Sequence, residues 1–219
     1  MNDFIGSIDV YLSAIWQTLF MALASLVVSG ILGLAIGVLL YATRPGHLLE
    51  NRVAYTVINV VVNIIRPIPF VIFLIAIEPL TIRVIGTYIG VYAATFAIAI
   101  GASFAVARIV EQNLVGVDPG VIEAARAMGA GPLRIIATVL IPEGLGPLTL
   151  GYTFLFVGLI DMSAQAGVIG GGGLGEYAIT WGSQRYNWTI VYIAVATIIV
   201  IVQLGQFVGN RLARRALRR

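Results

Sequence analysis

The chain has 219 residues, 59% hydrophobic and 11% charged, with a mean hydropathy of +0.99 and a formal net charge of +3. That composition excludes an ordinary soluble domain and points to an integral membrane protein. With no cysteine and a single histidine, His47, a disulfide framework, a thiolate metal site and a histidine cluster are excluded too.

The chain opens with Met1 to Asp9, which carries Asp3 and Asp9 and no base. A cleaved signal peptide needs a basic start, so this N-terminus is expected to be retained. Val10 to Thr43 is free of charge, long enough for one tilted helix across a hydrocarbon core of roughly 30 Å. The first span is set at about residues 12–42. Ser29, Gly33 and Gly37 recur every four residues within it, giving a smooth face that another helix can approach. Arg44-Pro45-Gly46 ends the helix in a turn. A second span, about 53–77, is interrupted by Pro67 and Pro69, so a regular helix is expected to stop near Arg66. Thr56, Asn59, Asn63 and Arg66 share one face of it and must meet protein or water. Glu78 and Arg83 mark a loop before a third span, about 84–108.

The longest polar interruption follows, at 109–143. Asp118 before Pro119 reads as a helix start, because the carboxylate accepts orphan amide hydrogens and proline has a helical φ already. This helix stops at Gly129. A second short helix starts at Pro132 and is expected to end before Pro142, making a helical elbow. The fourth span, about 144–166, contains Asp161 and leads into Gly170-Gly171-Gly172-Gly173-Leu174-Gly175. No strand precedes this run, which excludes a phosphate loop; it reads as a flexible turn. The fifth span, about 187–210, follows Trp181, Tyr186 and Trp188, placed like an interfacial aromatic belt.

All 13 basic residues are arginine, five of them in the last nine positions. Such a tail beside a span suits a topology determinant on an anionic membrane face, not a nucleic-acid arm. With the elbow cytoplasmic, Arg44, Arg52, Arg108, Arg126, Arg134 and the tail arginines lie inside, and Arg83 and Arg185 outside. The positive-inside rule then gives five spans, an outer N-terminus and a cytoplasmic C-terminus. The fold expected is all-α, one membrane domain over 1–219.

Two intramembrane charges stand out. Arg66 lies about 20 Å along the second span, and Asp161 about 25 Å along the fourth, at roughly 1.5 Å per residue. Each is the other's candidate partner by depth, and Gln165 lies one turn beyond Asp161. Asn63, Arg66, Asp161 and Gln165 are therefore candidates for a translocation path or gate. For Arg66 a structural alternative stays open: capping carbonyls freed by the prolines.

Glu123-Ala124-Ala125, Gly129, and Val139, Ile141 and Pro142 resemble the Glu-Ala-Ala loop of binding-protein-dependent ABC importer permeases. The segments YATRPG (41–46), NIIRPIPF (63–70) and AARAMGA (124–130) extend the resemblance over nearly the whole chain, toward methionine-importer permeases. Pro67, Asp161 and Gln165 depart from that pattern. The resemblance implies a coupling helix, with Glu123, Ala124, Ala125, Arg126, Gly129 and Pro142 serving contact with a separate ATPase subunit. It also implies a second copy of the chain, two ATPase subunits binding ATP and magnesium, and a substrate-binding lipoprotein or periplasmic protein. The solute expected is an amino acid, D- or L-methionine or a close analogue, crossing the bacterial inner membrane by alternating access. The chain itself has no G-x-x-x-x-G-K-[ST] loop and no lysine, so no nucleotide chemistry of its own is expected. A different class also fits the charges: an ion-coupled secondary transporter or channel with Arg66 and Asp161 as relay groups, for which inverted repeats would be expected.

Overall fold

The computed structural model describes residues 8–216, and within them every regular element is helical. The N-terminal segment 1–7 and Arg218 and Arg219 of the basic tail lie outside the described residues. Helix α1 (Ile8–Thr43) is a single helix of 36 residues. It ends where Gly46, at φ +82°, turns the chain back. Asn51 then caps α2 (Arg52–Ile65) by accepting the Ala54 N–H at 3.0 Å. Pro67 and Pro69 break the helix where expected, and α3 (Phe70–Ile85) leaves at an angle of 115° to α2.

The next boundary differs from the expectation. Glu78 and Arg83 lie within α3, which stops only at Gly86, a left-handed C-cap at φ +89°. The third span is therefore α4 (Val91–Val115), seven residues further on than 84–108. Charge marks the level of a membrane surface, whereas the glycine backbone decides where a helix ends. Arg108 consequently lies inside α4, not at its edge.

Helix α5 (Pro119–Ala127) begins as anticipated, with the Asp118 carboxylate accepting the Gly120 N–H at 2.8 Å. Gly129, at φ +79°, makes the elbow, and α6 (Pro132–Ile135) follows. Pro142 does not end this helix. A π-turn over Ile136–Leu140 widens the backbone, the Ile141 N–H reaches the Ile136 carbonyl, and the chain runs on into α7 (Ile141–Ala166). Widening the turn accommodates a residue that lacks an amide hydrogen without breaking the rod. Beyond the glycine run come the short α8 (Gly173–Tyr177) and α9 (Trp188–Ala216).

Helix α4 packs along α1. A Cβ on Gly33 would lie 2.9 Å from the Ser103 carbonyl, and one on Gly37 2.6 Å from that of Ala107, so the smooth face is used as expected. Helix α9 runs antiparallel to α7, with Gly205 against Phe156 and Gly209 against Thr153.

The helix ends fix sidedness. Tyr41 and Arg44 at the end of α1, Val115 at the end of α4 and Glu123 on α5 border one cavity of about 360 Å³. At the other face the Gly90 N–H donates to the Gly170 carbonyl at 3.0 Å. Since α1 and α4 both end on the elbow side, the bent α2–α3 pair must carry the chain back across. Among the described residues four helices are long and apolar enough to cross, and the bent pair, counted as one span, makes a fifth.

Candidate functional site

The elbow presents a mixed surface. Glu123, Ala124 and Arg126 are exposed, while Ala125 is 3% exposed and packs into the chain's own core. Only one of the two alanines thus faces outward: residues one apart on a helix point about 100° away from each other. Met128, 81% exposed, and Leu133, 74% exposed, project from the same elbow. Sequence reading passed over both; two large apolar side chains flanking a Gly-Pro break were the available signal. Tyr41 and His47 lie tilted against each other with ring centroids 4.6 Å apart, and both border the cavity that Glu123 and Arg126 also line. Pro142 sits behind this surface, in the first turn of α7.

A second cavity, of about 310 Å³ and open at the surface of the chain, lies between α2, α3, α4 and α7. Arg66, Asp161 and Gln165 line it together with Phe70, Phe73 and Met162. Gln165 donates to an Asp161 carboxylate oxygen at 2.8 Å, the one-turn spacing placing both on one face. Arg66 and Asp161 share the cavity but form no ion pair among the described residues, which corrects the expected pairing. Nor does the Arg66 side chain cap α2: its backbone N–H continues the helix to the Val62 carbonyl, while its guanidinium borders the cavity.

Asn63 is placed elsewhere. The Arg108 guanidinium donates to Asn63 Oδ1 at 2.6 Å and to Asn59 Oδ1 at 2.7 Å, and pairs with Glu111. Asn63 Nδ2 in turn donates to Asn59 Oδ1 at 3.1 Å. The polar face of α2 is therefore divided: its two asparagines bind α4, and Arg66 one turn on faces the cavity. The pairing of Arg108 with Glu111 escaped sequence reading because the third span was drawn to end at 108, which put Arg108 at its edge and Glu111 in the loop.

The glycine run is pinned, not flexible. Gly172 N–H donates to Glu176 Oε2 at 2.7 Å, Gly173 N–H to Gln17 Oε1 at 2.8 Å, and Leu174 N–H to Thr18 Oγ1 at 2.8 Å. Gly170, Gly172 and Gly173 all have φ near +80°, a conformation glycine adopts without strain. Nearby, the Arg185 guanidinium lies 4.0 Å from the Trp181 ring centroid, and Tyr186 and Trp188 are exposed, as an interfacial belt requires.

The family model described as the inner membrane component of binding-protein-dependent transport systems matches residues 33–218. The chain belongs to that family. A probable D-methionine transport system permease protein MetI of Vibrio cholerae is 44% identical over 207 residues, covering 94% of this chain and 92% of that protein. The D-methionine transport system permease protein MetI of Escherichia coli K12 is 42% identical over 153 residues, 70% of each chain. Among solved structures, an inward-facing MetNI methionine ABC transporter superposes with a TM-score of 0.93 at 38% identity, covering 95% of this chain and 97% of that one. This permease is thus an all-helical, multi-pass transport component with the fold expected of it. Membership also decides against an ion-coupled carrier. The intramembrane charges of the permease need a role inside an ABC importer instead.

Proposed function

We propose that this permease carries an amino acid, methionine of either hand or a close analogue, into the cell by alternating access. The observation carrying this reading is the full-length likeness to D-methionine permeases, 44% identical over 94% of the chain, together with an exposed elbow bearing Glu123, Ala124 and Arg126. The elbow docks a separate ATPase subunit, which binds ATP and magnesium; the permease has no nucleotide site of its own. Two permeases pair about a two-fold axis, because five crossings are few to enclose a solute path. A substrate-binding lipoprotein or periplasmic protein delivers the solute to the outer face, where the N-terminus lies. Arginine asymmetry puts the elbow and the C-terminus in the cytoplasm of a cell bounded by this inner membrane. Uptake of labelled methionine into vesicles, competed by each common amino acid in turn, tests the solute. Competition by methionine stereoisomers and close analogues supports the assignment, and competition confined to unrelated amino acids removes it.

A further inference from the structure

We infer that the cavity between α2, α3, α4 and α7 is a binding site for a free zwitterionic amino acid, with Arg66 holding the α-carboxylate and Asp161 the α-ammonium. The inference rests on the amino-acid reading above and adds a site to it. Three observations meet here. The first is size: about 310 Å³ is at the lower end for small-molecule pockets and enough for one small solute.

The second is charge. Opposite charges facing one cavity ordinarily close on each other, yet Arg66 and Asp161 do not pair. Arg66 has no hydrogen-bond partner for its guanidinium among the described residues, and Asp161 accepts one bond, from the neutral Gln165 amide. Both residues are exposed on the chain and open to the cavity, and a charge carried by a membrane-spanning segment must be compensated by a partner or by water. A zwitterion supplies both complements at once, a carboxylate for the planar guanidinium fork and an ammonium for the carboxylate. Gln165 steadies the Asp161 carboxylate and leaves its other oxygen available.

The third is the remaining wall. Phe70 and Phe73, with ring centroids 6.5 Å apart, and Met162 give the cavity an apolar side opposite the polar edge. An unbranched apolar side chain fits there, and a thioether gains from contact with aromatic rings. The Arg108 guanidinium already donates to Asn59, Asn63 and Glu111 and does not line this cavity.

Equilibrium binding to the detergent-solubilised complex of permease and ATPase tests this, with three probes: L-methionine, its methyl ester, which has no carboxylate, and 2-hydroxy-4-(methylthio)butanoate, which has no ammonium. The wild type binds methionine about 10- to 100-fold more tightly than either analogue, the range for losing one charged hydrogen-bonding group. In Arg66→Gln the preference over the ester disappears while that over the hydroxy acid remains. In Asp161→Asn the pattern is reversed, and Arg66→Lys keeps discrimination against the ester. Equal weakening of all three probes in both variants, or unchanged selectivity, overturns the site. A wild-type complex that binds no methionine overturns it as well, and vesicle uptake then separates the two claims. Methionine import retained means that only this site is wrong; no import of any amino acid means that the solute reading fails with it.

Discussion

Arg108 and Glu111, one helical turn apart on α4, form an ion pair whose carboxylate residue is only 3% exposed. The pair reaches across to α2 through Asn59 and Asn63, so it fastens a short helix that has few buried residues of its own. Removing one partner leaves a buried charge uncompensated and should cost about 3–5 kcal/mol. Arg108→Ala and Glu111→Ala are each expected to lower the thermal midpoint of the purified permease. The double variant Arg108→Met with Glu111→Leu is expected to recover much of the loss. A wild-type midpoint in either single variant would show that the pair does not hold α2.

At the elbow the two neighbouring alanines should respond differently. Ala125 is buried in the permease's own core and Ala124 is exposed. Overpacking a core site costs about 1–3 kcal/mol, so Ala125→Leu is expected to destabilise the permease alone. Ala124→Leu should leave stability unchanged and weaken copurification with the ATPase. The proposed docking of Glu123 on the ATPase subunit predicts a loss of about 1.5–3 kcal/mol in Glu123→Ala, read as weaker coupling with insertion intact. Thermal melts and ATPase stimulation, measured side by side, distinguish these effects.

The outer turn gives a third expectation. A Cβ at Gly173 would lie 2.7 Å from Thr18 Oγ1 and 2.8 Å from the Met21 methyl, at φ +78°. Left-handed backbone costs an L-residue roughly 1–2 kcal/mol before any clash. Gly173→Ala should therefore release the turn from α1, read as faster hydrogen exchange at Leu174. Unchanged exchange would mean that the turn is not held by Gln17 and Thr18.

Sidedness can be tested in a chain without cysteine. Single cysteines at Gly120 and Arg215 should react with an impermeant thiol reagent only from the cytoplasmic side, and one at exposed Gln184 only from outside. Outside labelling at Gly120 would reverse the orientation.

Much of this architecture can be read from residues whose effect is local. Pro67 and Pro69 break α2, Asp118 and Pro119 start α5, and Gly33 and Gly37 invite α4, because each acts through its own backbone or its missing side chain. What could not be read depends on partners far along the chain. Whether Asn63 meets Arg108 depends on the register of α2 against α4, and α4 starts later than expected because α3 runs past the charges Glu78 and Arg83 to Gly86. The π-turn before Pro142 was hidden for a related reason: proline removes a hydrogen bond but does not say whether the helix stops or widens. Of the candidate path residues, Arg66, Asp161 and Gln165 came together because one-turn spacing and depth are properties of single helices.

Energy delivered through the elbow, and not an ion gradient, is expected to drive the solute across. Proteoliposomes holding the permease with its ATPase subunit, given ATP while ionophores collapse proton and sodium gradients, test it most directly. Methionine uptake is expected to require ATP, to survive the ionophores and to fall in Glu123→Ala. Uptake by the permease alone, driven by an imposed ion gradient without ATP, would contradict it.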